Sequence, residues 1–203
     1  MTGVTAGPGP GVDREARRRL ARVPIDQPPG FVAKALDWYA RRVYGQMPDN
    51  GWAMAANRKV LFATLGFERK VAKFDAVPEG LTSLAVMAAS MEIGCSWCVD
   101  FGYFMAHKDG LDIDKLRAVA EWQTSPVFTD LERQVIAFAV AASATPSEVT
   151  DDLVEPIREA LGDRGLVELA MMVAIENQRS RLNSSLGLVS QGFSAVCQLP
   201  SSR

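Results

Sequence analysis

Cys95-Ser96-Trp97-Cys98 places two thiols at a spacing that can close a small disulfide ring. The pair follows a long apolar run that ends at Ile93-Gly94, and it opens the next helical stretch. A thiol at a helix N-terminus meets the positive end of the backbone dipole, which favours thiolate. The chemistry this predicts is reversible dithiol–disulfide exchange, because one thiolate can attack while the second sulfur lies within reach. The bland alternative is a pair of small buried hydrophobes or an inert disulfide. A metal site would need two more ligands. Only Cys197 and His107 offer them, both at unsuited spacing, so no metal is expected and the redox-active pair is the whole prosthetic equipment.

The residues around the pair offer little proton chemistry. His107 is the sole histidine, nine residues after Cys98. On one helix that spacing carries it to the opposite face and about 13 Å along the axis. Glu92, three residues before Cys95, is the better placed carboxylate and the candidate proton relay. Asp100 points away from Cys98, and a carboxylate beside a thiol would raise its pKa. Trp97, Phe101, Tyr103 and Phe104 could wall an apolar pocket, or serve as core or subunit contacts. Asn177 and Arg181 share a helix face at i, i+4 and are further pocket candidates. Glu176 reads as the structural partner of an arginine, and Glu168 lies on the same C-terminal helix. Asn57 and Arg58 are placed with the same region only as a conjecture. Cys197 reads as a free thiol in a polar tail.

The elements that must hold these groups are helices, with no convincing strand. Phe31, Ala35, Leu36, Tyr39 and Val43 share a side of one helix. A second is expected over 50–65, and a third begins at Pro78 and runs to Ile93, apolar almost all round and therefore central. The Cys helix stops at Asp109-Gly110, and 112–122 forms a short helix. Thr129-Asp-Leu-Glu132 is a capping box for 130–142, and Thr145-Pro146-Ser-Glu148 reads as another. Gly162 ends the helix that follows, and 166–186 forms the last. Asp13–Val23 makes a short basic helix with Asp13 as its cap. These readings divide the chain into a disordered or loosely attached segment over 1–30, a helical domain over 31–190 and a tail over 191–203.

Composition narrows the classes. A chain of 203 residues fits one domain, and a formal charge of -2 argues against nucleic acid as a partner. No apolar stretch is long enough for a bilayer, and the N-terminus lacks a signal-peptide core, so a cytoplasmic location with no membrane partner is expected. Three cysteines are too few and too odd in number for a disulfide scaffold.

In their order, these residues resemble the carboxymuconolactone decarboxylase superfamily and its alkylhydroperoxidase D-like branch. The resemblance rests on Ile93-Gly94-Cys95-Ser96-Trp97-Cys98, and is supported by Met54-Ala55-Ala56-Asn57-Arg58, Thr129-Asp-Leu-Glu-Arg133, Ala144-Thr-Pro146 and Leu166-Val-Glu-Leu-Ala170. It implies an all-α fold, a compact antiparallel helical bundle assembled as a homo-oligomer, often a trimer or a multiple. It also implies that Cys98 attacks a hydroperoxide, that Cys95 resolves the sulfenic acid, and that a dithiol reductant restores the pair. The branch carries a Glu twelve residues before the first Cys and a His four residues after the second. Here those positions are Ser83 and Gly102. Ser83 can hold a hydroxyl hydrogen bond but is no general acid at neutral pH. The expected function is therefore a divergent thiol-dependent peroxidase. A lactone decarboxylase-like enzyme and a non-catalytic oligomer with a redox-responsive disulfide are the alternatives.

Overall fold

The computed structural model describes residues 11–194. Among them every regular element is helical. The order is α1 (Arg14–Leu20), α2 (Phe31–Tyr44), α3 (Asp49–Ala55), α4 (Arg58–Val71), α5 (Glu79–Ile93), α6 (Ser96–Lys108), α7 (Ile113–Arg117), a 3-10 turn (Ala118–Glu121), α8 (Asp130–Ser143) and α9 (Asp151–Ser185). No helix among the described residues is long and apolar enough to cross a membrane.

α5 is the central rod. Leu81, Leu84, Ala85, Met87, Ala88 and Ala89 leave it almost no polar face, and it packs on α6, α8 and α9. Burying each large side chain there contributes about 1.5–3 kcal/mol. Ala85 and Ala89 are fully buried and let α8 approach closely through Val135, Ile136 and Ala139. Leu169 and Val173 bring α9 onto the same core. Gly94 ends α5 in the left-handed region at φ 79°, where a side chain would be strained. That reversal sends the chain directly into α6.

Several helix ends follow their caps. Asp13 accepts from the N–H groups of Glu15 and Ala16 and starts α1. Thr129 and Glu132 form the reciprocal capping box of α8. Gly162, at φ 68° and ψ 174°, breaks the helical path inside α9, which agrees with its expected role as a stop.

Other expectations need correction. The single helix over 50–65 is two, because the Asn57 side chain accepts from Lys59 and Val60 N–H and caps α4. Thr145-Pro146 does not open a helix. The loop folds back, with Glu148 N–H donating to Ala141 O, and α9 begins only after Thr150. The apolar side expected of α2 is not buried among the described residues: Ala33 and Ala40 are, whereas Phe31 and Tyr39 are exposed.

Residues 11–30 are packed rather than loose. Arg17 pairs with Asp49 in a buried ion pair, Ile25 is buried, and Val12 N–H donates to Ser190 O. Residues 191–194 are likewise built into the body. Residues 1–10 and Cys197 lie outside the described residues.

Candidate active site

Cys95 is the N-cap of α6. Its sulfur accepts the Cys98 N–H at 3.2 Å, so the first thiol replaces the usual Ser or Asp cap. The two sulfurs are joined as a disulfide with Cα atoms 5.3 Å apart. Cys95 N–H donates to Ser90 O, which ties the pair to the last turn of α5. On the other side, Asn183 of α9 donates its Nδ2–H to Cys98 Sγ at 3.4 Å. The pair is closed in: Cys95 is 2 % exposed and Cys98 7 %.

Rings and the C-terminal loop provide the cover. Trp97 stacks on Phe101 at 5.0 Å, and Phe193 meets both edge-on at 6.3 and 5.2 Å. Tyr44 and Phe104 extend this cluster. Leu188 and Phe193 pack with both cysteines. Expected as a pocket wall, Trp97 and Phe101 do lie beside the dithiol, filled in by Phe193.

The loop is held by Asp100. Its carboxylate accepts N–H groups from Gln191, Gly192, Phe193 and Ser194 at 2.7–3.1 Å, and the Ser194 hydroxyl at 2.6 Å. The fold uses it to anchor a segment more than ninety residues downstream. Gln191 adds a second knot: it accepts Asp49 N–H and Trp97 Nε1–H and donates to Met47 O.

Beneath Cys95, Glu176 is buried at 3 % exposure. It accepts from Ser90 Oγ at 2.9 Å and Ser180 Oγ at 2.8 Å, while Arg179 stands 3.5 Å off. Arg179 spends its guanidinium chiefly on Glu68 of α4, at 2.9 Å. Burial pushes the Glu176 carboxyl above its ordinary value, against the opposing pull of Arg179 and the two serines. The folded chain therefore holds this proton more tightly than the unfolded chain does. The resulting stability is complete below the unfolded value of 4.5 and drains away as pH rises through the folded value. Glu176→Gln keeps the neutral form at every pH. It is expected to flatten the fall of melting temperature as pH rises above the unfolded value of 4.5, and equal slopes in variant and native protein would contradict this.

The remaining expected site residues lie elsewhere. Glu92 is exposed at the end of α5, and Ser83 is half-buried about 10 Å further along the rod than Ser90. Asn177 donates to Ser143 Oγ at 2.8 Å, and the exposed Arg181 reaches Ser143 O and Thr145 Oγ. Both therefore clasp the end of α8, and neither joins the dithiol. Glu168 accepts from Asp75, Ala76 and Val77 N–H and fixes the turn before α5. Arg58 stands over Phe62, away from this region. His107 is exposed in the last turn of α6. Among the described residues no three His, Cys, Asp or Glu side chains converge as metal ligands.

Ser90, Asn183 and the anchoring role of Asp100 were missed. Glu176, Ser180 and Asn183 recur at i, i+4 and i+7, a polar stripe on α9 that the sequence displays. Nothing in the sequence names Ser90 and Cys98 as what that stripe faces.

Comparison with known proteins agrees with this architecture. Residues 59–141, which contain the Cys pair, match the carboxymuconolactone decarboxylase family. The uncharacterized protein YnjA of Escherichia coli K12 is 29 % identical over 188 residues, covering 91 % of this chain and 97 % of YnjA. The debrominase Bmp8, crystallised as a cysteine-to-alanine variant with 2,3,4-tribromopyrrole, superposes with a TM-score of 0.71 at 18 % identity, over 96 % of each chain. ATU0492 of Agrobacterium tumefaciens is a protein of unknown function provisionally assigned to the antioxidant-defence protein AhpD. It superposes with a TM-score of 0.61 at 23 % identity, over 66 % of this chain and 91 % of its own. The central stretch of the chain, residues 59–141, is thus similar to the carboxymuconolactone decarboxylase family, and the chain shares the all-helical fold of these solved structures.

Proposed function

We propose that the protein is a thiol-dependent oxidoreductase that reduces a hydroperoxide through Cys98 and Cys95. The observation that carries this reading is the pair itself: two sulfurs joined at the start of α6, each receiving one N–H donor. Cys98 thiolate attacks one peroxide oxygen, the O–O bond breaks, and the alkoxide takes a proton and leaves as alcohol. Cys98 is then a sulfenic acid. Cys95 thiolate attacks its sulfur, and the hydroxyl takes a proton and leaves as water. A dithiol donor of electrons returns two electrons and two protons. The test is steady-state turnover of an organic hydroperoxide with a dithiol reductant. Reductant oxidation matching alcohol formation supports the reading, and none above a free small thiol removes it.

The ring cluster against the disulfide favours a second substrate class, a halogenated aromatic of the kind bound in the Bmp8 complex. There a C–Br bond would become C–H, bromide would leave, and the same dithiol would supply both electrons. Bromide release from a bromopyrrole, with no alcohol from the hydroperoxide, would select it.

The proposed working form is a homo-oligomer, a trimer or a multiple. Phe31 is 85 % exposed and Trp38 67 %, and α4 adds Val60 and Phe62. α2 and α4 frame a groove of ≈ 210 Å³ lined by Phe31, Leu36, Trp52, Leu61 and Phe62. Exposed apolar surface of this extent marks an association surface. Light scattering is expected to give a multiple of the chain mass, and Phe31→Asp with Trp38→Asp to shift it towards monomer. A monomeric native protein would contradict this.

A further inference from the structure

The positions where the family resemblance places a proton relay are Ser83 and Gly102, and neither can move a proton to or from sulfur. What does touch the second sulfur is an amide. Asn183 Nδ2 lies 3.4 Å from Cys98 Sγ, Asn183 is itself buried, and it comes from a different helix. Cys95 Sγ, in contrast, receives only the backbone N–H of Cys98 among the described residues.

We propose that Asn183 is a catalytic residue that holds Cys98 as thiolate and thereby selects it over Cys95 as the attacking sulfur. This rests on the dithiol reading above. A neutral donor in a site closed to water is worth more to an anion than to a thiol, so it lowers the thiol pKa. The same contact receives the negative charge when the disulfide is opened at Cys95 and Cys98 departs with the electron pair. The charged groups around it are otherwise engaged. Asp100 on α6 is held by the 191–194 loop, Glu176 and Arg179 on α9 lie one to two turns back, and Glu92 on α5 is exposed. Arg22, reaching in from the N-terminal segment, donates to Ser184 and Ser185 carbonyls.

The test is the pH dependence of iodoacetamide alkylation, followed by mass on the peptide that carries residues 95 and 98. Cys95→Ser isolates Cys98, and Cys98→Ser isolates Cys95. Adding Asn183→Leu to the first is expected to raise the Cys98 midpoint by about one pH unit, which is about tenfold less thiolate at a pH below both midpoints. Adding it to the second is expected to leave Cys95 unmoved. Asn183→Asp, nearly isosteric, keeps the proposal testable if the leucine variant fails to fold, and should raise the Cys98 midpoint further. An unchanged Cys98 midpoint, or one that moves for Cys95 instead, overturns the assignment. Because no peroxide is present, a shifted Cys98 midpoint in a protein that ignores hydroperoxide upholds Asn183 and removes the peroxidase reading. An unshifted midpoint in an active peroxidase does the reverse.

Discussion

Cys98→Ser is expected to abolish hydroperoxide turnover, a loss of about a thousandfold or more, as removal of a nucleophile does elsewhere. Cys95→Ser is expected to behave differently. It should consume one equivalent of peroxide and stop with Cys98 as sulfenic acid, because the resolving thiol of the Cys95–Cys98 ring has been removed. Mass measurement of the intact protein separates the two: no added oxygen on residue 98 in the first, one in the second. The pair of results assigns attack and resolution to particular sulfurs. The reverse pattern, with one oxygen on Cys95 in Cys98→Ser, would exchange the roles.

Asp100→Ala should produce the largest loss of stability. Four backbone N–H groups and a hydroxyl converge on this carboxylate in a buried setting. Each buried donor left unpaired costs about 1–3 kcal/mol, though water entering the freed loop satisfies some of them. The expected net loss is about 3–5 kcal/mol by urea unfolding. Asp100→Asn retains an acceptor oxygen and should lose less. The same substitution loosens Leu188 and Phe193 over the sulfurs, so alkylation of the reduced pair in folded protein should accelerate. A loss below about 1 kcal/mol, with unchanged alkylation, would show that the loop does not depend on Asp100.

These two residues also mark how far the sequence could be read. The Cys pair was legible because its chemistry is local: the spacing closes the ring, and Gly94 before it can only be a helix end. The α8 capping box and the apolar α5 were legible for the same reason, since caps and periodicity act over a few residues. Asp100 is different: its partners begin at Gln191, and nothing local announces them. Thr145-Pro146 carries every sign of a helix start, and the chain instead folds the loop back on α8 before Thr150 begins α9. On α9 the i, i+4 rule selected Asn177 and Arg181, which sit on the face turned to α8. The neighbouring face, with Glu176, Ser180 and Asn183, has the same periodicity and is the one that reaches Ser90 and Cys98. Periodicity groups residues by face, but which face meets which helix is set by packing across the whole chain.

The N-terminal segment follows the same logic. Residues 11–30 are rich in arginine and proline, a composition that suggests a loose arm. Their attachment comes from single long-range contacts, Arg17 to Asp49 and Ile25 into the cluster around the cysteines. The exposed rings of α2 are the counterpart: an amphipathic pattern predicts a buried face, and among the described residues that face has no cover.

The most direct test of the dithiol account is a single turnover. Fully reduced protein is mixed with one equivalent of an organic hydroperoxide, and thiols, alcohol and peptide masses are followed together. Two thiols are expected to be lost per alcohol formed, with a Cys95–Cys98 bridge as the oxidised product. Thiol loss no faster than that of a free small thiol, or oxidation that leaves Cys95 and Cys98 unbridged, would contradict it.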